Sequence, residues 1–316
     1  MTTPTAGIHH ITAFVRDAQR TADFYAGALG LRLVKKTINF DAPEVYHLYF
    51  GDEAGSPGTI ITFFPFQQSR KGRIGGGQVG VTTYLVPEGA FGFWQQRLAK
   101  LNVAAEVTTR FGETYLAFED PDGLKLEIVE RREGRASAWS FGGVPADKAI
   151  KGFGGAILYS TAPAQTADLL VNVMGLTKVG QEGAYMRFQS TADIGNLIDV
   201  NVTRMEAGHG GAGTVHHIAW RAKDDEEHER WRSHVAGSGY QPTPIVDRQY
   251  FKALYFREAG GILFEIATDP PGFARDEEPA KLGEKLMLPE WFEASRGQIE
   301  QLLTPFEVRV LEEDKQ

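Results

Sequence analysis

The sequence predicts an α+β fold of four β-α-β-β-β units, paired into two domains of curved mixed sheets. Three observations carry this expectation. Hydrophobic patterning sets one helix-like stretch among several short strand-like runs, and does so repeatedly along the chain. A His-His pair heading an apolar run opens the chain, Gly7-Ile8-His9-His10-Ile11-Thr12-Ala13, and returns late as Thr214-Val215-His216-His217-Ile218-Ala219-Trp220. Residues 115–128 also run parallel to residues 254–266, each stretch placing a glutamate, Glu127 or Glu265, within its last strand. Internal repetition of this kind outweighs any single strand assignment.

The first unit opens with a strand over residues 8–15. Residues 17–29 follow as a helix, with Ala22, Phe24, Tyr25, Ala28 and Leu29 near helical spacing and Gly30 suited to its C-terminus. Strands follow at 31–39, 45–50 and 59–64, the last after the Gly55-Ser56-Pro57-Gly58 turn. The glycine-rich stretch 72–80 is read as a crossover linker into the second unit, since its spacing matches no phosphate-binding motif. That unit has a strand at 78–86, a helix at 90–101 carrying Phe91, Trp94 and Leu98, and strands at 105–109, 114–119 and 124–130. Asp120-Pro121-Asp122-Gly123 turns the chain between its last two strands.

The third unit follows the loop 131–151, with a strand at 155–160, a helix at 164–174 and strands near 177–180, 185–189 and 196–203. A second glycine-rich linker, 208–213, leads into the fourth. There the strand 215–222 precedes a charged helix at 225–236, with Trp231 and Val235 on its apolar side, and strands at 241–248, 253–258 and 262–268. Taken in sequence order, residues 1–148 form an N-terminal domain of two units and 149–270 a C-terminal domain of two more. Residues 271–316 form a tail with a helix at 289–303, read as a wrapping or interface element.

Composition narrows the function classes. The chain has 316 residues, 42% hydrophobic and 23% charged, enough for two domains with substantial cores. A net charge of −8 argues against a nucleic-acid partner, which needs a cationic surface. Arg70-Lys71-Gly72-Arg73 reads as a solvated loop. With no cysteine, disulfides, thiolate metal sites and cysteine nucleophiles are excluded. No apolar run approaches the roughly 20 residues of a membrane helix, and residues 1–5 show no secretory leader. The expectation is a cytoplasmic protein without a membrane partner; assembly into a homo-oligomer is left open.

Side chains on a strand alternate between its faces. His10, Thr12 and Phe14 share one face of the first strand, against the more apolar His9, Ile11, Ala13 and Val15. His217 and Ala219 oppose His216, Ile218 and Trp220, while Glu265 opposes Ile262, Phe264 and Ile266. The richer apolar faces suit a covering helix, so His10, His217 and Glu265 point into the concave side. Two imidazoles and one carboxylate suit a borderline divalent metal and leave coordination positions open, as in non-haem Fe(II) enzymes. Thr62, at the repeat-related position of the first unit, is no ligand. Glu127 and Asp199 occupy that position in the middle units without histidine partners. Among the other histidines, His47 is read as a packing residue, His228 and His234 as solvated, and His209 as unremarkable in role.

With these ligand positions the chain resembles the vicinal oxygen chelate superfamily of glyoxalase I, bleomycin-resistance proteins and extradiol dioxygenases. It is most similar to the branch that cleaves para-hydroquinones. The resemblance rests on Ile8-His9-His10-Ile11-Thr12, Tyr46-His47-Leu48-Tyr49-Phe50, Gly55-Ser56-Pro57-Gly58-Thr59, Thr109-Arg110-Phe111-Gly112, His216-His217, and Asp247-Arg248 through Glu265. It extends into the tail near Leu282-Gly283. It implies Fe(II), or in some members Mn(II), held by His10, His217 and Glu265, and a small aromatic substrate cleaved with O2. It further implies His9, Arg248 and Tyr255 around those ligands. Tyr255 or His9 would move a proton, and Arg248 would orient a hydroxyl or stabilise negative charge. Strict alternation turns His9 and His216 away from the metal, unless a bend beside Gly7 redirects His9. Arg248 has a plainer alternative, an ion pair with Asp247. Two rival functions stand beside ring cleavage: a glyoxalase-type isomerase or lyase, and a non-enzymatic small-molecule-binding protein.

Overall fold

The computed structural model describes residues 4–315. Unit one comprises β1 (Ile8–Val15), α1 (Ala18–Ala22), β2 (Arg32–Asn39), β3 (Ala42–Gly51) and β4 (Ile60–Pro65). Unit two comprises β5 (Gln78–Val86), α2 (Phe91–Lys100), β6 (Ala105–Arg110), β7 (Glu113–Glu119) and β8 (Lys125–Glu130). Unit three has β9 (Gly152–Tyr159), α3 (Pro163–Asn172), β10 (Thr177–Glu182), β11 (Tyr185–Gln189) and β12 (Leu197–Asn201). Unit four has β13 (Thr214–Ala222), α4 (Asp225–Gly237), β14 (Val246–Asp247), β15 (Phe251–Arg257) and β16 (Leu263–Pro271). The expected order therefore recurs in every unit.

The departures are local. Asp17 caps α1 by accepting the Arg20 N–H at 2.7 Å. Beyond Ala22 the predicted helix widens into a π-helical turn, Asp23–Ala28. The strand expected at 241–248 shrinks to β14, because Pro242 and Pro244 cannot donate to a ladder. The tail helix is two short pieces, α5 (Glu290–Glu293) and α6 (Arg296–Leu302).

The strands form two eight-stranded sheets, ordered β14-β15-β16-β13-β1-β4-β3-β2 and β10-β11-β12-β9-β5-β8-β7-β6. The first sheet joins unit one to unit four; the second joins units two and three. The division by sequence into residues 1–148 and 149–270 thus runs across both sheets. The chain leaves the first sheet after β4, builds the whole second sheet, and returns. The two linkers cross side by side, with Arg73 N–H donating to His209 O at 2.9 Å and Gly76 N–H to Glu206 O at 2.7 Å. Glycine permits this approach: a Cβ on Gly75 would lie 2.7 Å from Glu206 O.

Helices cover the apolar outer faces. α4 packs on β13 and β16, joining Trp231 and Val235 to Ile218, Trp220, Phe264 and Ile266. Trp94, Trp220 and Trp231 are fully buried, and truncating any one would cost roughly 3–5 kcal/mol. His228 was expected in solvent but is fully buried, its Nε2 2.8 Å from Ile266 O. It lies three residues before Trp231 and seven before Val235, so it shares their inward stripe.

The tail wraps unit one. Lys35, fully buried, pairs with Asp276 at 2.6 Å and with Glu277. Leu288, Ile299 and Leu303 close over Ile38. Further along, Asp314 reaches Arg97 and Lys100 of α2, both at 2.9 Å. No helix among the described residues is long and apolar enough to cross a membrane.

Candidate metal centre

β1 and β13 lie side by side at the middle of the first sheet, and β16 runs parallel to β13 with Ala219 opposite Glu265. This brings His10, His217 and Glu265 together, each buried, with one donor atom from each lying within 4.8 Å of the others. His217 Nε2 is 2.8 Å from Glu265 Oε2, and His10 Nε2 is 3.5 Å from the same oxygen. The two Nε2 atoms are 3.2 Å apart.

Two β-bulges settle the orientation of the leading histidines. Between β1 and β13 the pairing steps from Ile8–Trp220 to His10–Ala219, leaving His9 as an extra residue on β1. It then steps from Thr12–His217 to Ala13–Val215, leaving His216 as an extra residue on β13. A bulge re-aims the side chain it carries, so simple alternation fails at these two positions. Each leading ring instead turns beside its neighbour: the Nδ1 atoms of His9 and His10 are 2.9 Å apart, and those of His216 and His217 are 2.8 Å apart. The Nε2 atoms of His10 and His217 remain turned toward Glu265. His9 is buried behind His10 and touches the site through it, whereas the exposed His216 lines the cavity with its ring against Phe14.

The triad fits a bound cation. Glu265 is fully buried, yet neither carboxylate oxygen has an aligned hydrogen-bond donor. A buried carboxylate left in that state is costly, and a divalent ion between two imidazoles would satisfy it. Burial pushes the Glu265 carboxyl up, but His10 and His217 overcome this and hold it well below the usual carboxylate range. Burial lowers His217 in turn, favouring the neutral imidazole that a metal needs.

Above the triad opens a cavity of about 470 Å³, within the usual range for small-molecule sites. Its walls are mainly aromatic, including Phe14, Phe64, Phe66 and Phe251. Arg248 and Tyr255 both line it, with Arg248 Nε donating to the Tyr255 hydroxyl at 3.2 Å. The ion-pair partner of Arg248 is Asp41 of unit one at 3.0 Å, not Asp247. Burial disfavours the Arg248 cation, but Tyr255, Asp41 and Glu265 keep it charged. Burial, reinforced by Glu265, raises the Tyr255 phenol so that it stays protonated.

His47 does more than pack. It lines the cavity, with Nε2 2.8 Å from Thr62 Oγ1 and Nδ1 2.8 Å from the Tyr49 hydroxyl. Thr62 Oγ1 in turn lies 2.8 Å from Thr12 Oγ1. This chain of polar groups occupies the place where unit one, by symmetry with Glu265, would offer a fourth ligand. Its signal in the sequence is the alternation of His47 and Tyr49 against Leu48 and Phe50, which puts both polar rings on the concave face.

The second sheet answers the same positions differently. Glu127 accepts two hydrogen bonds from Arg110, at 3.0 and 2.7 Å. Asp199 is shared by Arg110 at 2.7 Å and Arg187 at 2.8 Å. A larger cavity, about 1010 Å³, borders this network, but both carboxylates are already engaged by guanidinium groups.

Comparison with known proteins gives the family. The family model of the Glyoxalase/Bleomycin resistance protein/Dioxygenase superfamily matches residues 7–128 and 153–266. The chain belongs to this superfamily. Each matched range spans two of the four units. Among relatives, MhqO of Bacillus subtilis, provisionally named a ring-cleaving dioxygenase, is 61% identical over 312 residues, covering 99% of this chain and all of that one. The chlorohydroquinone/hydroquinone 1,2-dioxygenase of Sphingobium indicum is 36% identical over 305 residues, covering 93% of this chain and 94% of the relative. A crystal structure of a Bacillus subtilis protein, provisionally described as a dioxygenase, superposes with a TM-score of 0.97 at 61% identity, covering 98% of this chain and 100% of that one.

Proposed function

We propose that this protein is a non-haem Fe(II)-dependent dioxygenase that opens the ring of a hydroquinone-type aromatic, incorporating both atoms of O2. The observation that carries this reading is the donor set: His10, His217 and Glu265 converge, while the fourth symmetry-related position holds Thr62, engaged with Thr12 and His47. Three protein donors suit chemistry that needs open positions for two reactants. The names of the relatives point the same way, at up to 61% identity across nearly the whole chain.

His10, His217 and Glu265 would hold the iron; when bound, it supplies redox chemistry with dioxygen and favours the anionic form of a phenol. The remaining work falls to side chains in place. Phe14, Phe64 and Phe251 grip the faces and edges of an aromatic ring and keep water from it. Arg248, charged and facing the cavity, stabilises negative charge on a ring oxygen. Tyr255, held as a phenol, donates a proton through its hydroxyl, and Arg248 Nε fixes where that hydroxyl stands. His9 acts through His10 and positions it.

A glyoxalase-type isomerase would gain from a fourth protein ligand, and Thr62 with its two partners does not supply one. The reading is tested by loading the purified protein with Fe(II) anaerobically, then adding hydroquinone and oxygen. Oxygen uptake equal to hydroquinone consumed, with loss of the aromatic absorbance, is the expected result. A fully loaded protein that consumes no hydroquinone or catechol would sink it.

A further inference from the structure

The outer wall of the triad's cavity is assembled from three distant segments. Asn39, Phe40 and Asp41, at the tip of the β2–β3 hairpin, line it from unit one. Across the mouth, Arg248 of unit four donates to Asp41 at 3.0 Å. From outside, the tail supports the hairpin. The Phe40 ring meets Trp291 of α5 edge-on, with centroids 5.8 Å apart, and lies 6.3 Å from Phe292.

The asymmetry between these supports is informative. Asp41 is largely exposed at 73%, so its bridge to Arg248 exchanges readily with water and can part to admit a ligand. Phe40 is braced on its far side by aromatic rings, and the strand behind it is tied down. Met287 N–H donates to Lys36 O at 2.9 Å, and Ile38 sits under Leu288, Ile299 and Leu303. Trp291 remains 56% exposed. Its ring contacts are with Phe40 and its neighbour Phe292, so it contributes to holding the hairpin more than to any core. A bare hairpin tip would be among the least stable parts of a fold; this one is strapped.

We propose that Phe40 determines which ring substituents the cavity accepts, and that the tail, through Trp291, is the element that positions Phe40. This rests on the hydroquinone reading above. A ring that is unsubstituted or carries a small group fits beneath the braced phenyl wall. A ring with a bulky alkyl group meets it. The tail therefore sets specificity without touching the substrate.

The test compares kcat/KM of the iron-loaded enzyme for hydroquinone, chlorohydroquinone and tert-butylhydroquinone. Phe40→Ala is expected to shift the preference toward the tert-butyl compound about tenfold, the scale of a small volume change in an apolar pocket, through KM with little change in kcat. Trp291→Ala is expected to shift it in the same direction but less, and Trp291→Phe to restore it. The double variant should match Phe40→Ala alone, because Trp291 acts through Phe40. Phe40→Leu covers the case in which Phe40→Ala does not fold. An unchanged preference in the Phe40 variants, or independent, additive shifts from the two sites, overturns the inference while the hydroquinone reading stands. A wild-type enzyme that turns over none of the three compounds removes both.

Discussion

His9 shares a hydrogen bond with His10 through the Nδ1 atoms of both rings, 2.9 Å apart. One ring must donate and the other accept. With the His10 Nε2 lone pair kept for a metal ion, the donor would be His10 Nδ1–H and the acceptor His9. Such a partner fixes the tautomer and direction of a metal-ligating imidazole. His9→Ala is therefore expected to weaken metal affinity about 10–100-fold, with partial recovery in His9→Asn, whose amide oxygen can accept. Competition against a chelator measures this; wild-type affinity in His9→Ala would show that the bulge serves the strand and not the ligand.

Removal of the donors themselves should be more severe. His217→Ala and Glu265→Ala are each expected to abolish iron retention, read as metal per chain after desalting. A variant that keeps iron and activity would overturn the ligand assignment.

Tyr255→Phe leaves the ring and takes away only the hydroxyl that Arg248 Nε holds at 3.2 Å. Loss of a positioned proton donor costs on the order of 10²-fold or more in rate, so kcat should fall with iron content unchanged. An undiminished kcat would remove Tyr255 from the chemistry.

Arg110 lies in the other sheet, where it binds both Glu127 and Asp199. Arg110→Ala leaves buried carboxylates short of a partner and should destabilise by about 3–5 kcal/mol, measured by urea unfolding. The folded variant should retain its iron, since the triad stands on different strands. Loss of iron from folded Arg110→Ala would contradict the separation of the two sites.

Glu113 gives the second sheet a pH dependence. Burial pushes its carboxyl up, but hydrogen bonds from Arg131, Tyr115 and Arg187 prevail and lower it from 4.5 to about 2. A folded pKa below the unfolded one stabilises above about pH 4.5, and that stabilisation is lost as pH falls toward 2. The full shift corresponds to roughly 3 kcal/mol, an upper bound for a side chain still 23% exposed. Glu113→Gln should flatten the stability curve across that window, checked by unfolding at several acidic pH values. An unchanged slope would place the acid sensitivity elsewhere.

Alternation and repetition are local properties, so the sequence alone was enough to lay out the β-α-β-β-β units and to turn His10, His217 and Glu265 inward. Tyr255 and Arg248 were reached through resemblance, and the cavity contains both. Other features depend on pairs of distant segments. A bulge belongs to two strands at once, so the turning of His9 and His216 could not be read from either strand. For Arg248 the sequence offers its neighbour Asp247 as an alternative ion-pair partner, but the fold supplies Asp41 from the far unit. His47 looked like packing until Thr62 and Tyr49 stood on both sides of it. The pairing of unit one with unit four joins β1 to β13, about two hundred residues apart, and the two glycine linkers cross in contact beside it. The sequence thus determined what each strand presents to its two faces, because that follows from backbone periodicity. Tertiary structure decided which faces meet, because that is set by strand register, linker crossing and burial, which no single segment contains.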